Sequence, residues 1–228
     1  MSSKETVKLL RANTGERDMH SVFSDFCSMS AAALRNRFDP RGHQKREEQY
    51  EQTRERYSEA QWGRFAEALA LVAIELAREP RDVLGEVYMQ LEIASHDQGQ
   101  FFTPYSVCQL MAAMQVPNAA EQLKTLPFLT VYEPACGAGA MVIAVAQELA
   151  SQGVDCATQL HVTADDLNLT AVHMSYIQLS LLEIPAIVNH RNSLTLEHFD
   201  AWPTAAHALG GWHLKLPAPT GRVGLLQE

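Results

Sequence analysis

The stretch FLTVYEPACGAGAMVIAVAQELA, residues 128–150, decides the fold. Its first seven residues are mostly apolar and partly β-branched, which predicts a buried strand. ACGAGA (135–140) predicts a tight glycine turn, and residues 141–150 predict a helix, because Met141, Val145 and Leu149 recur at helical spacing. A strand that passes through a glycine turn into a helix is typical of the first unit of an α/β domain.

The same alternation continues along the chain. QLHVTADD (159–166) predicts a second strand, residues 168–183 predict a buried helix, and AIVNH (186–190) predicts a third strand. Strands that alternate with helices predict right-handed crossovers and a parallel sheet, so the expected fold class is an α/β, Rossmann-like parallel-sheet core. The residues after His190 leave room for little more than a fourth strand or a few turns, so we expect a truncated core.

The first hundred residues predict an N-terminal helical lobe. FDPRGH (38–43) predicts a turn, and a later helix ends near Glu79 and Pro80. QKREEQYEQTRERYSEAQWGRF (44–65) predicts a highly charged helical stretch whose simplest interpretation is a solvated face; a DNA-facing role is the alternative. We therefore divide the chain into a helical lobe (1–98), an α/β domain (99–212) and a C-terminal tail (213–228).

Composition excludes several classes of protein. The 228 residues are 46% hydrophobic and 20% charged, which is ordinary for a globular protein. No apolar run approaches the roughly 18 residues of a membrane span, and the polar N-terminus does not resemble a signal peptide. The four cysteines (27, 108, 136 and 156) form no CxxC pair, so we expect no disulfide framework, no metal site and a cytoplasmic location.

The charge balance limits contact with nucleic acid. The net charge is −9, yet residues 1–60 hold 11 basic and 10 acidic residues, so the excess of acid lies in the rest of the chain. This balance argues against a chain that is coated in phosphate-binding charge, and from charge alone the simplest interpretation is a protein that does not contact nucleic acid. Contact with DNA has to be local or supplied by a partner subunit.

Three successive strand ends carry the candidate binding residues. Gly137 and Gly139 follow the first strand and allow the backbone to turn sharply and approach a ligand. Asp166 ends the second strand, where a carboxylate can accept both hydroxyl groups of a ribose. Asn192 follows the third strand and can pair with an adenine edge. The pattern indicates an adenosine-containing ligand, although a plain strand-to-helix turn would also explain the glycines.

Two further positions limit the chemical class of the ligand. Val142 stands where a dinucleotide fingerprint has its third glycine, so no pyrophosphate cradle is predicted. Glu133, at the end of the first strand, would repel a phosphate but welcome an ammonium group. A ligand with a ribose, an adenine and a cationic amino group points to S-adenosylmethionine.

Three motifs together resemble a known family. GQFFTP (99–104), YEPACGAGAM (132–141) and ADDLNLTA (164–171) resemble the adenine-N6 DNA methyltransferases, in particular the modification subunit of type I restriction–modification systems. The resemblance covers residues 85–200, and the family's helical lobe is consistent with the N-terminal part. It implies a class I methyltransferase core that binds S-adenosylmethionine.

The resemblance also assigns roles to residues. Phe102 and Thr103 would border the methionine tail of the cofactor, with Thr103 as helix N-cap and Pro104 as first helical residue. Glu133 would hold the amino group, Asp166 the ribose hydroxyls and Asn192 the adenine. The glycine loop would be lined by four residues: Ala135, Cys136, Gly137 and Gly139. Cys136 is interpreted as a small loop residue rather than a nucleophile, and Asp165 as a solvated neighbour of Asp166.

One departure from the family bears on activity. The family's catalytic motif reads Asn-Pro-Pro followed by Tyr or Phe, and this chain contains no such motif; FDAWPTA (199–205) stands where its strand is expected. No catalytic residue is therefore assigned. Three hypotheses follow: an adenine-N6 DNA methyltransferase that acts with partner chains, a methyltransferase-derived module that binds the cofactor without transferring its methyl group, and an unrelated nucleotide-binding protein. The short sheet would leave an open edge, so we expect self-association or a protein partner that covers it.

Overall fold

The N-terminal part of the chain is helical, as predicted. The computed structural model describes residues 3–15, 17–91 and 103–216. The first five helices are α1 (Ser3–Arg11), α2 (Met19–Arg35), α3 (His43–Arg54), α4 (Glu59–Arg78) and α5 (Val83–Gln90). The charged stretch 44–65 is divided between α3 and α4, because Ser58 and Gln61 form a capping box that begins a new helix.

The second part alternates strands and helices. Two helices come first, α6 (Tyr105–Gln115) and α7 (Ala119–Gln122). The sheet units follow as β1 (Leu129–Glu133), α8 (Ala140–Ser151), α9 (Cys156–Gln159), β2 (Leu160–Asp166), α10 (Leu169–Leu181) and β3 (Ala186–Arg191). The chain continues into β4 (His198–Pro203), α11 (Ala205–Leu209) and α12 (Trp212–Lys215). The α/β class is therefore confirmed.

The sheet is mixed rather than fully parallel. Its order is β1-β2-β3-β4; β1, β2 and β3 run parallel to one another, but β4 runs antiparallel to β3. The expectation of a purely parallel sheet is wrong at β4 for a geometric reason. Only residues 192–197 join the two strands, and the N–H of Asn192 donates to the carbonyl of Glu197 at 2.9 Å. A connection this short can join antiparallel strands only, since a parallel crossover needs a dozen or more residues.

Helix α10 begins as the sequence predicted, but α6 begins one residue late. The side chain of Asn168 caps α10 by accepting a hydrogen bond from the N–H of Ala171. Thr103 was expected to cap α6, with Pro104 as the first helical residue. Pro104 is the cap instead, because its ψ of 134° is extended and its carbonyl accepts the first helical hydrogen bonds, from Val107 at 2.9 Å and Cys108 at 3.2 Å.

The helical part and the sheet share one hydrophobic core. A continuous cluster of buried side chains runs from Phe26 and Val87 in the helical part to Ile177 and Val188 in the α/β part. The predicted division after residue 98 lies outside the described residues. Helix α12 spans the predicted start of the tail at residue 213, and its first residue, Trp212, is fully buried. Residues 217–228 also lie outside the described ranges.

None of the helices in the described ranges is long and apolar enough to cross a bilayer. All four cysteines are free thiols. The described residues also bring together no group of three or more His, Cys, Asp or Glu side chains that suits a metal ion.

Candidate functional site

The carboxyl ends of β1, β2 and β3 lie side by side and bring the predicted residues to one edge of the sheet. Glu133 lies opposite Ala164 in the register of β1 and β2, and Asp166 lies opposite His190 in the register of β2 and β3. Asn192 follows β3 directly. We call this region, from Glu133 through Asp166 to Asn192, the carboxyl edge. In parallel sheets ligands bind at such an edge.

The glycine loop between β1 and α8 uses its own N–H groups internally. Four of its amides already donate hydrogen bonds to acceptors of the protein: Ala135 to Glu133 Oε1 (3.2 Å), Cys136 to the Asp165 carbonyl (2.9 Å), Gly137 to Asp166 Oδ2 (2.8 Å) and Gly139 to the Cys136 carbonyl (2.8 Å). A phosphate needs free amide donors. The loop therefore does not offer these donors to an anion, in line with the missing third glycine.

Asp166 has a structural task as well as its predicted one. Its Oδ2 accepts from Gly137 and its Oδ1 accepts from the N–H of Asn168 at 2.8 Å, so it ties the glycine loop to the start of α10. The side chain is half-buried. A carboxylate offers about four lone-pair sites, so two remain for ligand hydroxyl groups.

Asp165 is not the solvated neighbour that the sequence predicted. It is fully buried and accepts hydrogen bonds from Tyr132 Oη (2.8 Å) and Asn189 Nδ2 (2.7 Å), with Arg191 Nη1 at 3.5 Å. Side chains alternate between the two faces of a strand, so consecutive aspartates must point apart. Here the second one, Asp166, is left at the edge, and Asp165 fixes β1 to β3 across β2.

Glu133 and Asn192 present acceptors and a donor at the edge. Glu133 is half-buried, and its Oε1 accepts from the Ala135 N–H. Asn192 is half-buried, and its Oδ1 accepts from the N–H groups of Leu194 (3.0 Å) and Thr195 (3.1 Å), which fixes the side chain. The amide Nδ2 of Asn192 is then held in one orientation as a donor. The carboxyl edge thus offers two carboxylates and one amide to a ligand.

Cys136 and Gly139 are buried in the glycine loop. Cys136 is buried, and burial raises the pKa of its thiol, so the thiol stays protonated and is a poor nucleophile. Gly139 has a φ of +97°, and a Cβ on it would lie 2.9 Å from Ser175 Oγ of α10. This glycine therefore allows α8 to begin close against α10. Ala135 is exposed and Gly137 half-buried, so these two residues lie on the side of the loop that is open to solvent.

The predicted contact from the FTP segment is described only in part. Thr103 is exposed, just before the start of α6, and Phe102 lies outside the described residues. The carbonyl of Thr103 accepts a weak hydrogen bond from the Cys108 thiol at 3.9 Å. Tyr105 Oη donates to Gln147 Oε1 at 2.5 Å, which fixes the first turn of α6 against α8.

Two residues that sequence reasoning missed support the carboxyl edge. Gln178 is fully buried; its Nε2 donates to Asp82 Oδ1 and to the Ala138 carbonyl, both at 2.8 Å, and its Oε1 accepts from Leu84 at 3.0 Å. It therefore ties the glycine loop to the start of α5. The sequence shows only that a polar residue stands in a helix predicted to be buried, and not which residues it contacts. Leu167, which is 58% exposed beside Asp166, offers an apolar wall at the edge.

Comparison with known families agrees with the resemblance. A family model described as N-6 DNA Methylase matches residues 79–209, which is more than half of the chain. Comparison with curated proteins gives no match. The chain belongs to the N-6 DNA methylase family.

Proposed function

We propose that this N-6 DNA methylase family member binds S-adenosylmethionine at the carboxyl edge, on a shortened Rossmann-like core. The observation that carries the proposal is the balance of donors and acceptors. Four of the loop amides donate within the protein, whereas Glu133, Asp166 and Asn192 remain at the edge. Such a site favours a ligand that brings hydroxyl and ammonium donors over one that brings phosphate.

The residues present fit the cofactor part by part. Asp166 would accept the ribose hydroxyl groups, Glu133 the ammonium group and the Asn192 amide an adenine nitrogen. The exposed side chain of Leu167 would cover an adenine face. When bound, S-adenosylmethionine supplies a methyl group activated by its sulfonium. The residues of this chain orient the ligand and keep the glycine loop in place.

Calorimetry with Asp166→Asn tests the proposal. Asparagine keeps the shape and one of the two oxygen acceptors that hold the N–H groups of Gly137 and Asn168, whereas alanine would remove both acceptors. We expect saturable binding by the native chain and at least tenfold weaker binding by Asp166→Asn, because each lost charge-assisted hydrogen bond costs about 1.5–3 kcal/mol.

Asp155→Asn is the matched control. Asp155 also accepts a backbone hydrogen bond, from Ala157 at 3.1 Å, but it lies before the amino end of β2, at the opposite edge of the sheet. Its substitution should leave affinity unchanged. Lack of saturable binding by the native chain at millimolar cofactor, or an equal loss in both variants, would overturn the proposal.

A second candidate function is a cofactor-binding regulatory or interaction module that transfers no methyl group. The specific observation is that the chain has no Asn-Pro-Pro-aromatic motif, and that FDAWPTA contributes to β4, antiparallel at the outer side of β3. Transfer of labelled methyl groups to DNA adenine separates the two candidates. Label above background that disappears in Asp166→Asn would refute the inactive module and support a DNA methyltransferase that acts alone or with a partner subunit.

We propose further that a second copy covers the free edge of β1. Within the described ranges β1 pairs with β2 alone, and Tyr132 on it is 55% exposed. Helix α6 contains no charged residue and exposes an apolar stripe at helical spacing: Val107, Leu110, Met111 and Met114. An uncharged stripe can pack against its own copy without like-charge repulsion, despite the net charge of −9. Light scattering should give a dimer, and Leu110→Glu should convert it to a monomer where the α6 stripe forms the contact between the copies. A native monomer would leave the free edge of β1 to a different protein.

A cytoplasmic location remains a prediction, and it rests on the cysteine pattern.

A further inference from the structure

A large cavity lies between the helical part and the outer strands of the sheet. We call it the interlobe cavity; α2, α3, the start of α10 and the β3–β4 pair line it, and its volume is about 700 Å³. Ligand pockets commonly have volumes of about 300–1,000 Å³. His190 on its wall lies opposite Asp166 in the sheet register, so the interlobe cavity adjoins the carboxyl edge without using its ligand-facing residues.

A short basic segment of the chain lies at this cavity. RNRFDPRGHQKR, residues 35–46, holds five basic residues and one acidic residue, although the whole chain has a net charge of −9. Four of the five basic side chains line the interlobe cavity: Arg35, Arg41, Lys45 and Arg46. Among the described residues that line it, Asp200 is the one carboxylate, and it lies 3.9 Å from Arg35.

Arg46 holds the loop that carries the exposed cations. Its guanidinium is buried and donates to Asn36 Oδ1 (2.8 Å), the Arg41 carbonyl (2.6 Å) and the Asp39 carbonyl (2.7 Å). Burial, and after it the nearby Arg35, lowers the pKa of Arg46. Asp39 Oδ2 lies 2.8 Å from Arg35 Nε and 3.8 Å from Arg46 Nη1, so both of these buried cations have a carboxylate partner. The backbone of Arg41 is thereby fixed before any ligand arrives.

Arg41 and Lys45 are the cations available to a ligand. Both side chains are exposed at the mouth of the interlobe cavity. In the described part of the chain, no ion pair or hydrogen bond involves either side chain. Two unpaired cations on a fixed backbone suit the phosphates of a ligand.

Aromatic rings form another part of the wall. Phe199 is 48% exposed, and its ring lies 4.7 Å from that of His190. Tyr50 on α3, which is half-buried, and Trp202 on β4, which is buried, also line the cavity, so Phe199 presents the exposed ring. Exposed aromatic faces beside cations are typical of sites where nucleic-acid bases stack while the phosphates are bound.

We propose that the interlobe cavity binds a nucleotide unit, with its phosphates on Arg41 and Lys45 and its base against Phe199. The ligand is either a free nucleotide or one unit of a single-stranded nucleic acid. The proposal does not rest on cofactor binding, because Glu133, Asp166 and Asn192 take no part in it. It assigns a DNA-facing role to α3, whose charged residues otherwise form a solvated face.

The test is fluorescence anisotropy with a labelled 12-nucleotide oligothymidine, without cofactor. Two phosphate contacts on a single strand predict a slope of log affinity against log salt of about −1.4, so affinity should fall about sevenfold from 50 to 200 mM salt. The double variant Arg41→Ala/Lys45→Ala should lose at least tenfold in affinity at 50 mM salt and most of the slope. Phe199→Leu should lose about tenfold with the slope unchanged, because base stacking does not depend on salt.

The control removes the same charge elsewhere. Lys8→Ala/Arg78→Ala changes the net charge equally, and both residues are exposed helix residues outside the cavity. Equal losses in the two double variants, or no oligothymidine binding together with no AMP binding in calorimetry, would overturn the proposal. AMP binding that requires Arg41 and Lys45 supports a free nucleotide as ligand; oligothymidine binding with no AMP binding supports a strand. Asp166→Asn should leave either affinity unchanged, which separates this test from that of the cofactor site.

Discussion

Replacing Gly139 by alanine should destabilise the protein by more than backbone strain alone. Gly139 has a φ of +97°, a conformation that costs an L-residue about 1–2 kcal/mol. An alanine Cβ would also lie 2.9 Å from Ser175 Oγ. Crowding of this kind in a packed interior costs about 1–3 kcal/mol, so the total should be about 2–5 kcal/mol.

Gly153 separates the two contributions. It has a φ of +82°, and an alanine methyl group there would meet no atom within 4 Å beyond its chain neighbours, so Gly153→Ala should cost the strain alone, about 1–2 kcal/mol. Ser175→Ala removes the crowding atom, and the next atoms of residue 175 are 3.6 Å away, which is ordinary contact. In the Gly139→Ala background it should therefore recover about 1–3 kcal/mol.

Urea unfolding followed by tryptophan fluorescence measures the free energy of unfolding of four variants: Gly139→Ala, Gly153→Ala, Ser175→Ala and the double variant Gly139→Ala/Ser175→Ala. A Gly139→Ala cost within about 0.5 kcal/mol of the Gly153→Ala cost, which is the error of additivity, would refute the packing role of this glycine. A double variant no more stable than Gly139→Ala would show that the crowding involves other atoms.

Three further predictions concern buried polar groups. Gln178→Leu should lower the free energy of unfolding by about 1.5–3 kcal/mol in urea, because the buried carboxyl group of Asp82 loses a donor that lies 2.8 Å away; a cost below about 1 kcal/mol would contradict this. Burial lowers the pKa of His173 from 6.5 to about 3, so the folded chain keeps the imidazole neutral where the unfolded chain would protonate it. The contribution of His173 to the free energy of unfolding is therefore complete above pH 6.5 and is lost as the pH falls toward 3. His173→Phe should accordingly show a smaller drop in urea midpoint between pH 7.5 and pH 5 than the native chain. An equal drop would contradict the assignment of this pH dependence to His173. Tyr132→Phe should cost about 1.5 kcal/mol in urea unfolding through the lost hydrogen bond to Asp165, and thermal unfolding should show the same order of stability.

The strands and helices were predictable because their periodicity is local. β1, β2 and β3 lie within a few residues of their predicted positions, and α10 begins where Asn168 provides a cap. The direction of β4 was not predicted, since it depends on how the chain turns at residues 192–197 and not on any periodicity of the strand itself. That turn is closed by the hydrogen bonds of Asn192, a residue assigned to ligand binding from the sequence.

The candidate site was predictable in position but less so in the role of each residue. The sequence placed Asp166 at the carboxyl edge, where the structure has it, but which of two adjacent aspartates points inward depends on the pleat of β2. The sequence also attributed both loop glycines to ligand approach, whereas Gly139 faces Ser175 of α10. Contacts between segments distant in the chain, such as Gln178 with Asp82, leave no pattern in a single sequence.

The antiparallel turn into β4 also determines where an aromatic base can stack. Because β4 pairs with the outer side of β3, Phe199 and Trp202 line the interlobe cavity and not the glycine loop beyond β2. A base stacked on Phe199 would therefore be bound by different residues from those proposed for the cofactor. If both proposals hold, Asp166→Asn will weaken only the cofactor and Arg41→Ala/Lys45→Ala only the nucleotide. The two ligands would be bound by different elements, β2 for the cofactor and β4 with α3 for the nucleotide. Substitutions at one site should therefore not weaken binding at the other.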